Sequence, residues 1–331
     1  MRPSDPLQTV MQLATGYWVP RCLHVIAELG VADALGDAPL SIEALAANVA
    51  AHPQSLARVL RALAAYGVFE EIDGRFGHSP ASRLLRSDHP QSQRSFVRMM
   101  GMSVHWAAYG QLEHSVRTGG SAMTHLEPGG VFGYFGTHPV ESRIFDEAMT
   151  ARSHASLGNV LASFDFSDFK LIADVGGGRG HLLQRILAAN PRSKGVLCDL
   201  PHVVDSLQNL ASDRLALRAV DFFKDPLPVC DAYVLMSVIH DWGDAESIAI
   251  LQAVRRAAPD HAKLLLLEMP IPDVPGPHPA KFLDIEMLVM TTGGRERTRA
   301  DYERLYRAAG FQLEKVVETA SPLAILQGAV I

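Results

Sequence analysis

The sequence is poor in cysteine, has no excess of basic charge and offers no long apolar run. Its 331 residues include three cysteines, Cys22, Cys198 and Cys230, far apart and without CxxC spacing. That spacing argues against a disulfide framework or a zinc cluster and fits a reducing cytosol. The formal net charge is −6, so nothing electrostatic draws the chain to nucleic acid or an anionic membrane. No stretch supplies the roughly 18 uninterrupted apolar residues of a membrane span. The opening MRPSDPLQTV lacks the charged start and apolar run of a signal peptide. A cytoplasmic protein without a nucleic-acid or membrane partner is expected. No internal repeat and no low-complexity segment is visible, and no convergent His/Asp/Glu set suggests a metal.

Hydrophobic residues make up 48% and charged residues 20%, the composition of a globular chain with a substantial core. The length allows one large domain or two ordinary ones. Residues 7–35 read as helix, with Leu13, Val25, Ile26, Leu29, Val31 and Leu35 on an apolar face and Gly30 and Gly36 as punctuation. So apolar a helix serves either a subunit interface or burial within its own domain. Ser41 and Glu43 signal a helix start, and Pro53 breaks the chain before a second helix over 56–66. Strand-like runs 67–72 and 75–78 flank Asp73-Gly74, a strong hairpin signal. Helix, helix and hairpin together predict a winged-helix shape. DNA binding is disfavoured because the second helix carries only Arg58 and Arg61.

Residues 90–165 read as mainly helical, interrupted by Gly119-Gly120 and Pro128-Gly129-Gly130. From Lys170 the pattern changes. Buried strands are predicted at 171–175, 195–198, 232–238 and 264–267, with a further strand ending at Val220. Helices are predicted over 180–190, 244–258 and 299–309, and two last strands over 311–317 and 324–330. The alternation predicts an α/β fold, a Rossmann-like parallel sheet with helices on both faces and right-handed crossovers.

In such a sheet ligands sit beyond the carboxyl ends of the strands. ADVGGGRG lies there, between strand and helix. Gly176, Gly178 and Gly180 let a ligand approach the backbone closely. The dinucleotide fingerprint needs glycine where His181 stands, and the GK[ST] of a phosphate-binding loop is absent. Asp199, at the end of the next strand, can accept both hydroxyls of a ribose, or else cap the segment after it. Asp221 can accept an adenine amino group with Phe222 against the ring. Asp174 either faces an amine-bearing part of the ligand or fixes the loop through backbone N–H groups. His240, after the fourth strand, is a candidate general base because free histidine titrates near pH 6.5. Glu268 and Glu296 are candidates to hold its second nitrogen.

At this point the sequence resembles the class I S-adenosylmethionine-dependent O-methyltransferases of the caffeate O-methyltransferase type, which include many bacterial natural-product enzymes. ADVGGGRG, CDLP, VDFF, VIHDWGD, LLLLEMPIPD and DIEMLVMTTGGRERT carry the resemblance, in that order, from about residue 7 to the end. It implies S-adenosylmethionine as cofactor, no metal, and methyl transfer to a hydroxyl. It implies a cofactor site of Asp174, Gly176, Gly178, Gly180, Asp199, Leu200, Asp221 and Phe222, with His240, Glu268 and Glu296 catalytic. Asp241 would help hold the acceptor. Met102, His105, Trp106, Phe145, Met149, Met287 and Met290 fall where members line the acceptor pocket, although ordinary core packing explains any one of them. Together they suggest a flat, apolar, aromatic or polyketide-like acceptor. The N-terminal unit would form a homodimer. The implied division is 1–95 for dimerisation, 96–165 as a helical connector to the acceptor pocket, and 166–331 for cofactor and catalysis.

Two positions depart from the family's pattern. Met236 stands where many members carry a cation near the cofactor, with Ser237 as its replacement, and Arg179 stands where a small hydroxyl residue is common. A nicotinamide-dependent dehydrogenase is disfavoured by His181. Transfer to nitrogen or carbon, and a repurposed hydroxylase or decarboxylase that keeps the cofactor, remain the alternatives.

Overall fold

A computed structural model describes residues 5–331, apart from the side chains of residues 153–155. The first four residues of MRPSDPLQTV, and so the start of the 1–95 division, lie outside the described residues. The chain forms two compact units. One runs to Trp106 and takes in His138–Arg152; the other comprises Ala107–Thr137 and Ser153–Ile331.

In the first unit, the helix expected over 7–35 is three helices, Pro6–Ala14, Trp18–Glu28 and Val31–Leu35. Gly30 takes φ +66, a left-handed turn that ends the second helix at little steric cost. The apolar face divides as well. Ile26, Val31 and Leu35 are buried, whereas Leu7, Val10, Met11 and Leu13 are exposed and the first helix buries nothing. Helices Ile42–Asn48 and Pro53–Ala64 follow, the first capped by the Ser41 hydroxyl. Leu45, Leu56, Leu60 and Leu63 from these helices pack with Phe69 and Phe76. A small antiparallel sheet is built from β1 (Leu40–Ser41), β2 (Phe69–Ile72) and β3 (Arg75–His78), in the order β1-β3-β2. The hairpin turns at Asp73-Gly74, both at positive φ, as the sequence predicts.

The second unit is organised by seven strands: β4 (Leu171–Val175), β5 (Lys194–Asp199), β6 (Leu215–Ala219), β7 (Ala232–Met236), β8 (Lys263–Glu268), β9 (Phe311–Glu318) and β10 (Ala324–Val330). The order is β6-β5-β4-β7-β8-β10-β9. β4 to β8 are parallel, but β10 pairs antiparallel with both β8 and β9, so the sheet is mixed where a parallel one was expected. The last two strands are joined by a short connection, which permits only antiparallel pairing. Val234, Leu265 and Leu267 pack on one face and Tyr233, Leu235, Leu264 and Leu266 on the other, which is how strands covered on both sides read as continuous apolar runs. The helix Pro279–Met290 was not anticipated, although Pro279 at its first turn and the His278 cap are start signals. The strand expected to reach Val238 ends at Met236, because Ser237 adopts φ +54.

Candidate active site

Chain order reverses between β4 and β7, which are neighbours, and this switch point is where an open α/β sheet leaves a crevice. The loops after β4, β5 and β7 therefore meet at one carboxyl edge.

The loop after β4 holds Gly176, Gly178 and Gly180 at φ +68, +53 and +72, which explains the glycines. Gly177 has a different reason. A Cβ there would lie 2.7 Å from Cγ of Asp174 and 2.8 Å from its Oδ2. A Cβ on Gly176 would meet Val238 at 3.0 Å and approach Phe222 at 4.0 Å. Glycine loop, ring and histidine turn are thus packed together.

Asp199 closes this loop. Its Oδ2 accepts the Gly178 N–H at 2.7 Å and its Oδ1 the Leu200 N–H at 2.7 Å. A carboxylate has about four lone-pair sites, so capacity is left for ligand hydroxyls. Asp174 is buried, and its Oδ2 has no protein partner. Burial, with the Asp199 charge adding to it, pushes its pKa up to about 7, and the Leu183 N–H works against them. Such an orphaned acid suits an amine or hydroxyl donor from a ligand. Asp221 is occupied within the protein. Its Oδ2 pairs with Lys224 Nζ at 2.7 Å and its Oδ1 accepts the Phe223 N–H, which together hold its pKa low. Phe222 lies edge-on to Trp242, with ring centroids 6.0 Å apart. Leu200 is largely exposed, and the Ser237 N–H bonds to Leu267 O at 3.0 Å. A non-glycine residue at φ +54 between strand and histidine turn is strained backbone, which concentrates at functional sites.

His240 sits on a single 3-10 turn, Ile239–Asp241. Its Nδ1 lies 2.7 Å from Glu296 Oε1 and 3.8 Å from Glu268 Oε2, and its Nε2 lies 3.6 Å from Asp241 Oδ1. Glu268 Oε1 accepts the N–H groups of Val238 and Ile239 at 3.2 and 2.9 Å, so the acid at the end of β8 fixes the start of the turn. Glu268 Oε2 and Glu296 Oε2 are buried without a protein partner. Burial raises Glu268 to about 7. At His240 burial opposes the charged ring, but Asp241, Glu268 and the hydrogen bond to Glu296 outweigh it and push the pKa up to about 10. No convergent set was expected, yet one side-chain N or O atom each of His240, Glu268 and Glu296 lies within 4.8 Å of the others. The correction follows from the sheet, which places β7 and β8 side by side.

Two residues of this site were not singled out in the sequence. Asp284, on the helix Pro279–Met290, accepts the Glu296 N–H at 2.9 Å. Arg297 is fully buried among the carbonyls of the histidine turn. Both lie within DIEMLVMTTGGRERT, but the motif does not show what they bond, because each acts on backbone that is distant in sequence.

The acceptor candidates divide between the units. Met102, His105, Trp106, Phe145 and Met149 belong to the first. There Met102 and His105 are buried, and Trp106 meets His24 edge-on at 5.9 Å with the Arg21 guanidinium 5.2 Å from its ring. Met287 and Met290 belong to the second unit, buried on the helix Pro279–Met290.

A glycine loop, an acid after the second strand and a buried histidine–carboxylate set at the switch point define a nucleoside-binding α/β enzyme. The family models resolve the class further. An O-methyltransferase domain matches residues 109–312, and an O-methyltransferase dimerisation domain matches residues 11–88. The chain belongs to the O-methyltransferase family and is an S-adenosylmethionine-dependent methyltransferase. It is 41% identical to the phenazine O-methyltransferase PhzM of Lysobacter antibioticus, over 97% of this chain and 96% of that protein. It is 38% identical to the 8-amino-8-demethylriboflavin N,N-dimethyltransferase of Streptomyces davaonensis, over 92% and 90%. The structure of CalO1, a methyltransferase in calicheamicin biosynthesis in its S-adenosylhomocysteine-bound form, superimposes with a TM-score of 0.88 at 33% identity, covering 99% of each chain. Among the described residues no helix is long and apolar enough to cross a membrane.

Proposed function

We propose that this enzyme methylates a hydroxyl on a planar aromatic or polyketide-like small molecule, with His240 as the general base. The observation that carries the reading is the 2.7 Å contact between His240 Nδ1 and Glu296 Oε1. A carboxylate only accepts, so Nδ1 carries the proton and Nε2 keeps its lone pair. Nε2 takes the proton of the acceptor hydroxyl, and Glu296 and Glu268 stabilise the imidazolium that forms. S-adenosylmethionine supplies an already activated methyl group at a sulfonium. The protein's own task is therefore to align, to deprotonate and to exclude water. Alignment is worth roughly 7–11 kcal/mol of the barrier, and the base about 10²–10⁴-fold.

The glycines at 176, 178 and 180, with Asp174, Asp199, Leu200, Asp221, Phe222 and Ser237, form the cofactor cradle in this reading. Asp199 takes the ribose hydroxyls and Asp174 a donor near the loop. Met236 stands where many members carry a cation, with Ser237 as its replacement. By the family resemblance, Met102, His105, Trp106, Phe145 and Met149 of the first unit, and Asp241, Met287 and Met290 of the second, are the residues assigned to the acceptor. In the same division residues 1–95 pair two copies of the chain, 96–165 contribute to the acceptor pocket, and 166–331 hold the cofactor. The exposed apolar residues Leu7, Val10, Met11 and Leu13 support pairing, since a helix that buries nothing in its own chain suits a partner. A cytoplasmic location fits three cysteines that are all free.

Support for an aromatic acceptor comes from the relative whose name is a phenazine O-methyltransferase. The N,N-dimethyltransferase relative supports an amine as the second reading. The test is calorimetric titration with S-adenosylhomocysteine, with NADH as control, followed by turnover with hydroxyl- and amine-bearing forms of the same aromatic ring. Turnover of the hydroxyl form that is lost in His240→Ala is expected. Preference for the amine, or turnover in His240→Ala within a few fold of the unmodified enzyme at neutral pH and at pH 9, overturns the reading.

A further inference from the structure

We infer that Arg297 is a positioning residue for the base, holding the backbone of the His240 turn from below while Glu296 holds the ring. The side chain is completely buried. Its Nη1 donates to Ile239 O at 2.9 Å and its Nη2 to Trp242 O at 2.7 Å. These carbonyls belong to the residue before His240 and to the residue after Asp241. A planar fork reaches both at fixed separation, which a lysine ammonium does not reproduce.

The surroundings keep the fork in place. Asp244 Oδ1 accepts from Nε at 3.1 Å and from Nη2 at 2.8 Å, balancing the charge. Nη2 also donates to Ser247 Oγ at 3.2 Å. The neighbours of Arg297 grip the same turn. The Arg295 N–H donates to His240 O at 2.8 Å, and Glu296 holds the ring nitrogen. Gly294 completes the fit, because a Cβ there would lie 2.7 Å from His240 O and 2.8 Å from Asp241 O. The segment 294–297 is thus a mould for residues 239–242, and Arg297 supplies its only charged donor to the carbonyls on either side of the base. Loss of the fork lets the turn shift while the ring keeps its carboxylate. A shift of about 1 Å at a reacting group costs on the order of 100-fold in rate.

This inference rests on His240 as the base, so His240→Ala is measured alongside. Arg297→Lys and Arg297→Ala are compared with the unmodified enzyme for S-adenosylhomocysteine affinity, melting temperature, and kcat and KM. The acceptor is a hydroxyphenazine or another hydroxyl-bearing aromatic that the unmodified enzyme turns over. In Arg297→Lys, affinity and KM stay within about threefold and kcat falls at least about 30-fold. In Arg297→Ala, tens of millimolar guanidinium raise kcat at least about fivefold while leaving the unmodified enzyme unchanged. A purely structural arginine predicts loss of folded protein without such rescue. If neither variant folds, Asp244→Asn decides, with Arg295→Ala as the control for the Asp244 Oδ2 pair with Arg295, since the half-exposed Asp244 touches the turn through the fork: kcat falls at least about threefold at unchanged affinity, and more than in the control. Arg297→Lys with kcat within about threefold, or no guanidinium response, or Asp244→Asn at full kcat, overturns the inference. Turnover retained in His240→Ala overturns the base reading itself. An inactive His240→Ala beside a fully active Arg297→Lys overturns only the positioning role.

Discussion

His240 Nδ1 and Glu296 Oε1 stand 2.7 Å apart, on two segments that the chain brings together across 56 residues. The contact fixes the ring's tautomer and places negative charge behind the nitrogen that does not react. It also raises the pKa of the base. Burial lowers it, but Asp241, Glu268 and Glu296 raise it more, to about 10.

The first prediction follows from that sign. The base works as neutral imidazole, so activity falls as pH drops through its folded pKa. The acid limb of kcat/KM lies above the ordinary histidine range. A bound cation works against the imidazolium and lowers this pKa, so the limb of kcat, which reports the complex, lies at lower pH. A pH–rate profile with His240→Ala as the control for acceptor ionisation checks both. A profile flat from pH 6 to 10 rejects the assignment.

The two glutamates differ in weight. Glu296→Gln leaves an oxygen for Nδ1 but removes the negative charge that stabilises the imidazolium, and lowers kcat by about 10²–10³-fold, with S-adenosylhomocysteine affinity little changed. Glu268 is raised toward neutrality by burial, and glutamine resembles its protonated form. Glu268→Gln keeps an oxygen for the N–H groups of Val238 and Ile239, so it costs at most about tenfold. Equal losses in the two variants contradict this ordering.

Asp199→Ala leaves the N–H groups of Gly178 and Leu200 without their 2.7 Å acceptor and removes a carboxylate from the cradle. Hydrogen bonds to a charged group are worth about 1.5–3 kcal/mol, so the Kd for S-adenosylhomocysteine rises about 10- to 100-fold. Calorimetric titration measures it. Unchanged affinity removes Asp199 from the cofactor site.

Asp174 carries a stability cost with a defined pH window. Its folded pKa of about 7 lies above the 3.8 of an unperturbed aspartate. Between these values the native state binds the proton that the unfolded chain has lost, so stability declines as pH rises through the window. Asp174→Asn removes the ionisation, so its melting temperature varies less between pH 4 and 7 than that of the unmodified protein. Equal slopes would show that the carboxyl is not perturbed.

Much of the second unit is legible in the sequence. Strands covered on both faces leave continuous apolar runs, and positive φ demands glycine, so ADVGGGRG reads directly as strand, turn and helix. Asp199 is legible because it ends such a strand, and His240 because it stands on the turn that follows one. The first unit reads less well. Residues 7–35 read in the sequence as one apolar helix punctuated at Gly30 and Gly36, while the helix also breaks before Trp18, and Leu13 and Leu35 end in different surroundings. The antiparallel pairing of β10 follows from connection length, which the strand pattern alone does not express.

The sequence by itself determined the local events: where strands run, where the backbone must turn left-handed, and which side chains end beside the crevice. Periodicity and φ are properties of short segments, so residues close together in the chain suffice to state them. Tertiary structure alone decided how charge gathers around His240. Glu268 reaches it because β7 and β8 are neighbours, and Glu296 and Arg297 because a later segment folds against the histidine turn. The strength of a charge depends on its distance and burial, and both are set by segments far apart in the chain. The same histidine is an ordinary base in the sequence and a strongly basic one in the fold.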